Sequence, residues 1–571
     1  MTGAAVKADV LQPHPVKDQL PGVDFCVSSS PHWAEAVLLG FQHYLVMLGT
    51  TIIITGIFVP KMGGGNVEKA EVIQTVLFVA GLNTLLQTWF GTRLPVVMGA
   101  SYTFIIPIYS IVLAPKYSTH TDPHERFKET MRGIQGALLI ASLFPMIAGF
   151  LGFWRIVVRF LSPLSAVPLV TLTGLGLYQL GFPNRGDIGH HVFFPLDKPD
   201  GFTCIFSETE GEIPGRLESE NLQNSLLANC IEVGLPQLIL LVFLSQYLPL
   251  IAKSKRAIFD RFAVLFSVAL VWVYAEVLTV AGAYDGRPQI TQLSCRTDRS
   301  GLITAAPWIR FPYPFQWGGP TFHAGNAFAV MAATFVAVVE STGTFIAASR
   351  YSSATPIPPS ILSRGIGWQG VAILLDGMFG AVSGSTASVE NTGLLGLTRV
   401  GSRRAIQISA GFMLFFSVLG KFGAIFASIP LPIVAAIYCI FFAYVASAGL
   451  SLLQFCNLNS FRSKFILGFS LFMGLSVPQY FKEYVFVTGH GPVHTSTISF
   501  NNIVQVIFQS PATVAAIVAF FLDCTLDRAH SSTRADSGRH WWGKFRSFHT
   551  DTRSEEFYSL PCNLNKYFPS V

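Results

Sequence analysis

The chain has 571 residues, 51% of them apolar and 12% charged, with a mean hydropathy of +0.49. Soluble domains carry about 25% charged residues, so this balance excludes a water-soluble globular protein. The formal net charge of +6 acquires meaning only once the charges are placed along the chain.

Residues 1–33 are polar, with Lys7, Asp9, Lys17, Asp18 and Asp24 and no apolar core. They read as a cytoplasmic N-terminal arm rather than a cleavable leader. A bilayer core of about 30 Å takes about 20 helical residues to cross, and apolar windows of that length recur along the chain. The first set of seven candidate spans lies near 34–59, 70–91, 95–114, 132–152, 164–183, 233–250 and 260–281. A polar extracellular loop at 282–324 follows. The second set lies near 325–349, 366–382, 385–399, 404–427, 430–450, 461–478 and 502–522, and residues 523–571 form a basic cytoplasmic tail. Both arms read as solvated. Repeats at 34–281 and 325–522 with an odd number of spans must run in opposite senses. The expected fold is therefore an all-α polytopic membrane protein of about fourteen transmembrane helices in two inverted seven-helix repeats.

Short loops fix the orientation through their Lys and Arg residues. With the N-terminus in the cytosol, the inner loops hold Arg93, Arg155, Arg159, Lys253, Lys255, Arg256, Arg350, Arg364, Arg399, Arg403, Arg404, Arg462 and Lys464, and almost no acids. Both termini then face the cytosol. Of the eight cysteines, none forms a CxxC pair. Cys204 and Cys295 fall in two long outer loops, where a bridge between them could form. GxSxG, HExxH and Walker A patterns are absent, which argues against an enzyme. No cofactor, metal or nucleic-acid partner is expected.

The third and tenth spans are the weakest. "VMGASYTF" in the third aligns with "VSGSTASV" before the tenth, placing a Gly-x-Ser at the same point in each. Paired interruptions at matching positions of two repeats point to a transporter's binding site. Residues 96–100 and 384–389 read as short extended segments that pair near the midplane, each followed by a half-helix. The free N–H groups of such half-helices favour acceptors and negative charge. Glu390 and Asn391 stand at the start of the second; in the blander alternative 384–399 is an outer loop and Asn391 an ordinary cap.

Glu340 lies well inside the eighth span, among small residues. Ionisable groups at that depth cost about 2.5–3.5 kcal/mol or more and face a pathway or a partner; a protonated Glu bonded to a neighbouring carbonyl is the structural alternative. Asp376 fits proton carriage or a structural role equally well. His43, with Gln42 beside it, could move protons or simply satisfy a hydrogen bond. Tyr102 follows the first Gly-x-Ser, where its ring could stack on a flat ligand or pack against neighbours.

"ENTGLLGLTR" at 390–399 resembles the signature of the nucleobase–ascorbate transporter family, carried here by Glu390, Asn391, Gly393, Thr398 and Arg399. "QH" at 42–43, "GASY" at 99–102 and "ESTG" at 340–343 are similar to the family's landmarks in the first, third and eighth spans, and the resemblance covers about 34–523. It implies a core domain from spans 1–4 and 8–11 and a gate domain from spans 5–7 and 12–14. It further implies a plasma-membrane homodimer that carries purines or pyrimidines with protons, or in some animal members ascorbate with sodium. By position, Glu340 and Glu390 bind the base, with Ser101, Tyr102, the Val389 backbone and Asn391 lining it, and His43, Gln42 and Asp376 belong to proton coupling or a polar network. Three positions depart from other members: Glu390 where some have Gln, Tyr102 where Phe is frequent, and Thr344 where an Asp is common.

Uracil, adenine, guanine, xanthine and urate all present ring N–H donors and acceptor atoms on a flat face, which suits carboxylates and half-helix N–H groups. The expected function is proton-coupled nucleobase import by alternating access. The alternatives are an anion carrier or exchanger on the same fold and an ascorbate transporter; an anionic ligand would meet two carboxylates.

Overall fold

The structure, a computed structural model, describes residues 20–118, 122–181, 230–252, 258–287, 289–298, 301–488, 490–526, 536–545, 552–561 and 564–565. Two long helices, α1 (Trp33–Lys61) and α2 (Asn66–Trp89), lead to a three-residue strand β1 (Met98–Ala100) and a half-length helix α3 (Tyr102–Val112). Next come α4 (Pro123–Phe150), α5 (Pro163–Leu180), α6 (Ile231–Ile251) and α7 (Ile258–Val280). The second half repeats the plan. Helices α8 (Ala324–Tyr351) and α9 (Pro359–Phe379) precede the strand β2 (Ser385–Ala387) and the half-helix α10 (Val389–Thr398). Helix α11 runs over Arg403–Val418 and bends by 108° into Gly420–Ala427, and α12 spans Leu431–Phe455. Finally α13 covers Phe461–Thr488, and α14 joins Phe500–Phe508 to Pro511–Thr525 through an 82° bend.

Among the described residues, eight helices are long and apolar enough to cross a bilayer, or ten if each bent pair counts once. The more polar α9 and α13 and the half-helices α3 and α10 complete the fourteen-span, two-repeat architecture. Prolines mark several starts: Pro163, Pro359 and Pro511 each stand at the first helical position, where the missing N–H costs nothing. Ser162 and Ser510 cap two of these starts by accepting the Ser165 and Thr513 amides. Helix α9 ends on Gly380 at φ 74°, a left-handed C-cap that favours glycine.

The helices expected in the core and in the gate each pack among themselves, and α10 against α12 and α8 against the first part of α14 join the two sets. Helices α2 and α1 lie on α11, and α4 lies on α8 and α9; α5 lies on α12 and α14, and α13 on α14. The most apolar windows of α1 and α8 are 78% and 83% buried, against 28% for α6 and 39% for α7. The core body is thus wrapped by protein, whereas α6 and α7 of the gate turn large apolar side chains such as Ile239, Leu270, Val273 and Val277 outward.

Two expectations from the sequence change here. Cys295 is bonded to Cys230, not to Cys204, which lies outside the described residues. Pairing is decided by which cysteines the fold brings together: Cys230 opens α6, and it meets Cys295 beside Tyr284 and Leu278 at the end of α7. The described parts of both arms are docked rather than solvated. Asp24 donates its amide to the Arg399 carbonyl at 3.0 Å and its carboxylate pairs with Arg261 at 2.9 Å. In the tail, Trp541 stacks on Phe455, and Phe557 and Tyr558 are buried. Arg403 and Arg364 donate to the Phe557 and Tyr558 carbonyls, each at 2.9 Å. Aromatic side chains bury inside an otherwise basic segment, and arginines of the core satisfy the carbonyls they bring with them.

The disulfide sets an expected outcome. Cys230→Ala, Cys295→Ala and the double variant should lose the same stability, about 2–4 kcal/mol, while Cys204→Ala loses none. Non-reduced peptide mapping checks the pairing directly, and a Cys204–Cys295 peptide would refute it.

Candidate functional site

Strands β1 and β2 pair antiparallel, with Met98 opposite Ala387, Gly99 opposite Thr386 and Ala100 opposite Ser385. Backbone at membrane depth must have its polar groups satisfied by protein, and here polar side chains of the core supply the partners. Thr84 Oγ1 accepts the Met98 amide at 2.9 Å, and Ser341 Oγ accepts the Ala387 amide at 3.2 Å. Gln369 donates to the Ser385 carbonyl at 3.3 Å, and the Ser388 amide donates to Val97 at 2.9 Å. Ser383 closes the other end, accepting from the Ser101 amide and donating to its carbonyl.

Half-helices α3 and α10 leave opposite ends of this ribbon. Ser101 caps α3, its Oγ accepting the Thr103 amide at 3.2 Å. Thr103 Oγ1 accepts from Ser101 Oγ and donates to Glu340 Oε2 at 2.5 Å. The other Glu340 oxygen accepts from Ser510 Oγ at 2.9 Å. Glu340 on α8 is thereby tied to the core half-helix and to the bend of α14 in the gate. Lys482 on α13 lies within electrostatic reach of the same carboxylate.

At α10, Ser388 Oγ uses all of its capacity, one donor and two acceptor sites. It donates to Glu390 Oε2 at 2.8 Å and accepts from the Asn391 amide at 3.2 Å and Asn391 Nδ2 at 3.0 Å. With Nδ2 so engaged, Asn391 Oδ1 accepts from His43 Nδ1 at 2.9 Å. This places the His43 proton on Nδ1 and leaves Nε2 the acceptor. Tyr102 and Tyr438 are close enough to Glu390 to interact with its charge. Tyr438 shares a hydrogen bond with Thr50 at 2.7 Å and donates to the Val46 carbonyl.

Ser101, Tyr102, Val389, Glu390, Asn391, Glu340 and His43 therefore gather around one ribbon, with adjacent residues of α3, Tyr102 and Thr103, facing the two acids. Gln42 does not join them: it sits on another flank of α1 and donates to the Arg261 carbonyl of α7 at 2.8 Å. Asp376 lies behind the ribbon, where Asn83 Nδ2 approaches its Oδ1 at 3.5 Å and Ser385 Oγ at 3.1 Å. The rest of the 390–399 run leads away from the acids. A Cβ on Gly393 would collide with the Phe441 backbone of α12, Thr398 bonds back to Leu394, and Arg399 ends α10 at φ 58°.

Sequence reasoning missed Ser388, Thr103, Ser510, Thr50 and Tyr438. Ser388 and Ser510 carried a readable signal as N-cap residues, but neither cap showed that it also holds a carboxylate.

A model of a permease family matches residues 34–198 and 217–483 of the chain. The chain is 64% identical over 566 residues to nucleobase-ascorbate transporter 4 of Arabidopsis thaliana, covering 99% of this chain and 100% of that one. It is 62% identical over 567 residues to nucleobase-ascorbate transporter 6 of the same plant, covering 99% of each. Among solved structures, the transmembrane domain of a cyanobacterial bicarbonate transporter, BicA, aligns with 87% of this chain and 99% of its own at 15% identity and a TM-score of 0.37.

Loss of the Ser388 hydroxyl should cost about 1 kcal/mol of stability and free the Glu390 carboxyl. Thermal melting of the purified protein should drop for Ser388→Ala and recover in Ser388→Thr, which keeps the cap. Equal melting of the two variants would show that the cap contributes nothing.

Proposed function

Because the chain belongs to the nucleobase–ascorbate transporter family, and so is a multi-pass membrane transporter rather than an enzyme, we propose that it imports nucleobases together with protons by alternating access. The observation that carries this reading is the placement of Glu340 and Glu390 against neighbouring residues at the start of α3.

A planar base held between α3, α10 and α8 gives its ring N–H groups to the two carboxylates and takes N–H donors from the half-helix starts at its carbonyls. Ser101, Tyr102, Val389 and Asn391 line it, and the Tyr102 ring covers its face. A buried donor or acceptor left without a partner costs about 1–3 kcal/mol, roughly a 5- to 150-fold loss of affinity. That is how a base with the wrong edge is refused. Glu390 favours uracil, adenine or guanine over urate, with xanthine also a candidate.

Glu340 takes up the proton. Its two oxygens touch Thr103 of the core and Ser510 of the gate, so its protonation and its ligand both bear on the contact between the moving bodies. Base and proton enter together, the core shifts against the gate, and both leave inside. His43 holds Asn391 in register, and Asp376 supports the ribbon. An ascorbate anion or another anionic cargo would face two acids with Lys482 as a nearby cation, which favours a neutral base.

The N-terminal arm 1–33 and tail 523–571 face the cytosol, and the loop 282–324 the opposite side. The Cys230–Cys295 bond, on the face opposite the arginine-rich loops, supports this, since disulfides persist in oxidising compartments. Residence in the plasma membrane and assembly as a homodimer belong to the same reading.

Labelled uracil, adenine, guanine, xanthine, urate and ascorbate, offered to transporter-deficient cells at two external pH values with and without sodium, test it. Uptake of a base should rise on acidification, persist without sodium and collapse with a protonophore. Glu340→Gln should reduce accumulation at least tenfold. Sodium-dependent, pH-independent uptake, or ascorbate as the preferred cargo, would contradict the proposal.

A further inference from the structure

On the arginine-rich face, far along α8 from Glu340, the core, the gate and the tail enclose a cavity of about 170 Å³. Core residues Ile346, Arg350 and Leu362 form one wall, and Leu452 of α12 with Leu161 forms another. The tail closes it with Arg539, Trp541 and Trp542. A water needs about 10–15 Å³ of such space, so the cavity holds several waters and has room for a phosphate group.

Its lining contains three arginines, Arg159, Arg350 and Arg539, and no carboxylate. Among the described residues, Asp523 pairs with Arg539 at 3.5 Å and with Arg462 at 2.9 Å. Three guanidinium groups with no carboxylate in the lining make the wall of the cavity cationic. Arg539 Nη2 donates to the Phe160 carbonyl, while its buried Nε makes no hydrogen bond among the described residues. Guanidinium forks suit tetrahedral oxyanions.

The rest of the lining is largely apolar. The short linker helix Phe153–Arg159 turns Phe153, Ile156 and Val157 outward, while Arg159 from its end reaches the cavity wall. Apolar residues facing out with a cation at the helix end are the pattern of a segment lying in the interface. Cytoplasmic leaflets carry anionic lipids at that level.

We propose that this cavity binds a phosphate-bearing ligand, its phosphate held by Arg159, Arg350 and Arg539 and its apolar part against the tryptophan and leucine walls. An anionic phospholipid is the source that the apolar lining favours. A ligand there touches core, gate and tail at once, and so joins the two bodies on that face.

The purified full chain in detergent, titrated with dioctanoyl phosphatidic acid, dioctanoyl phosphatidylcholine and inorganic phosphate, tests the assignment by thermal melting and tryptophan fluorescence. Phosphatidic acid should act saturably and phosphatidylcholine should not, with apparent affinity at least tenfold weaker in Arg159→Gln and Arg350→Gln. Arg159 is exposed, so its variant keeps the fold even if Arg350→Gln does not. A saturable response to inorganic phosphate alone that weakens in the same variants assigns the site to soluble phosphate compounds. Equal responses to the two lipids, no response to any ligand, or a response unchanged in Arg159→Gln overturns the proposal, and none of these outcomes bears on base transport.

Discussion

Two helices that stop halfway through a membrane leave N–H and C=O groups that hydrocarbon cannot satisfy. The chain meets this constraint by pairing the two broken ends with each other, Met98–Ala100 against Ser385–Ala387. The remaining edges are closed with Thr84, Ser341, Gln369 and Ser383. Much of the core follows from this requirement. Polar side chains that look out of place on α2, α8 and α9 have backbone partners at the ribbon, and Asp376 is held with Asn83 behind it. Once the ribbon is fixed, both half-helix starts are fixed, and with them the residues that face the two acids.

The same geometry explains how a site in one body can influence the fit of the other. Glu340 reaches Ser510 across the core–gate boundary, Thr50 reaches Tyr438, and Gln42 reaches the Arg261 carbonyl. A net hydrogen bond is worth only about 0.5–1.5 kcal/mol, with those to charged groups nearer 1.5–3. A few such bonds can therefore be exchanged for ligand contacts without a prohibitive barrier. In the proposed cycle the base competes with hydroxyl groups already bonded to the carboxylates, so that occupancy alters the boundary along which the bodies slide.

The ribbon was legible in the sequence because broken apolar periodicity is rare, and "VMGASYTF" and "VSGSTASV" break it in the same way at matching places. Glu340 and Glu390 stood out for a related reason, since a carboxylate within a span is conspicuous. Ser388, Thr103 and Ser510 did not stand out. Small hydroxyl residues occur throughout these helices, and their importance here depends on partners up to 237 positions away. The docked tail was read as solvated from its charge. The burial of Trp541, Phe557 and Tyr558 outweighs that charge because Arg364 and Arg403 satisfy the adjoining carbonyls. Disulfide pairing was beyond sequence alone, since it is settled by which loop ends meet.

The register of the ribbon is the most direct point of test. Cysteines placed at Met98 and Ala387, which face one another, would have Cα atoms about 4.5–5.5 Å apart, inside the disulfide range of roughly 4.4–6.8 Å. Cysteines at Met98 and Ser385 are displaced by two residues, to about 7–8 Å. Oxidation of the folded protein in its membrane, followed by peptide mapping, should give a 98–387 crosslink and little or none at 98–385. A dominant 98–385 crosslink, or none at either pair in protein that still folds, would contradict the account.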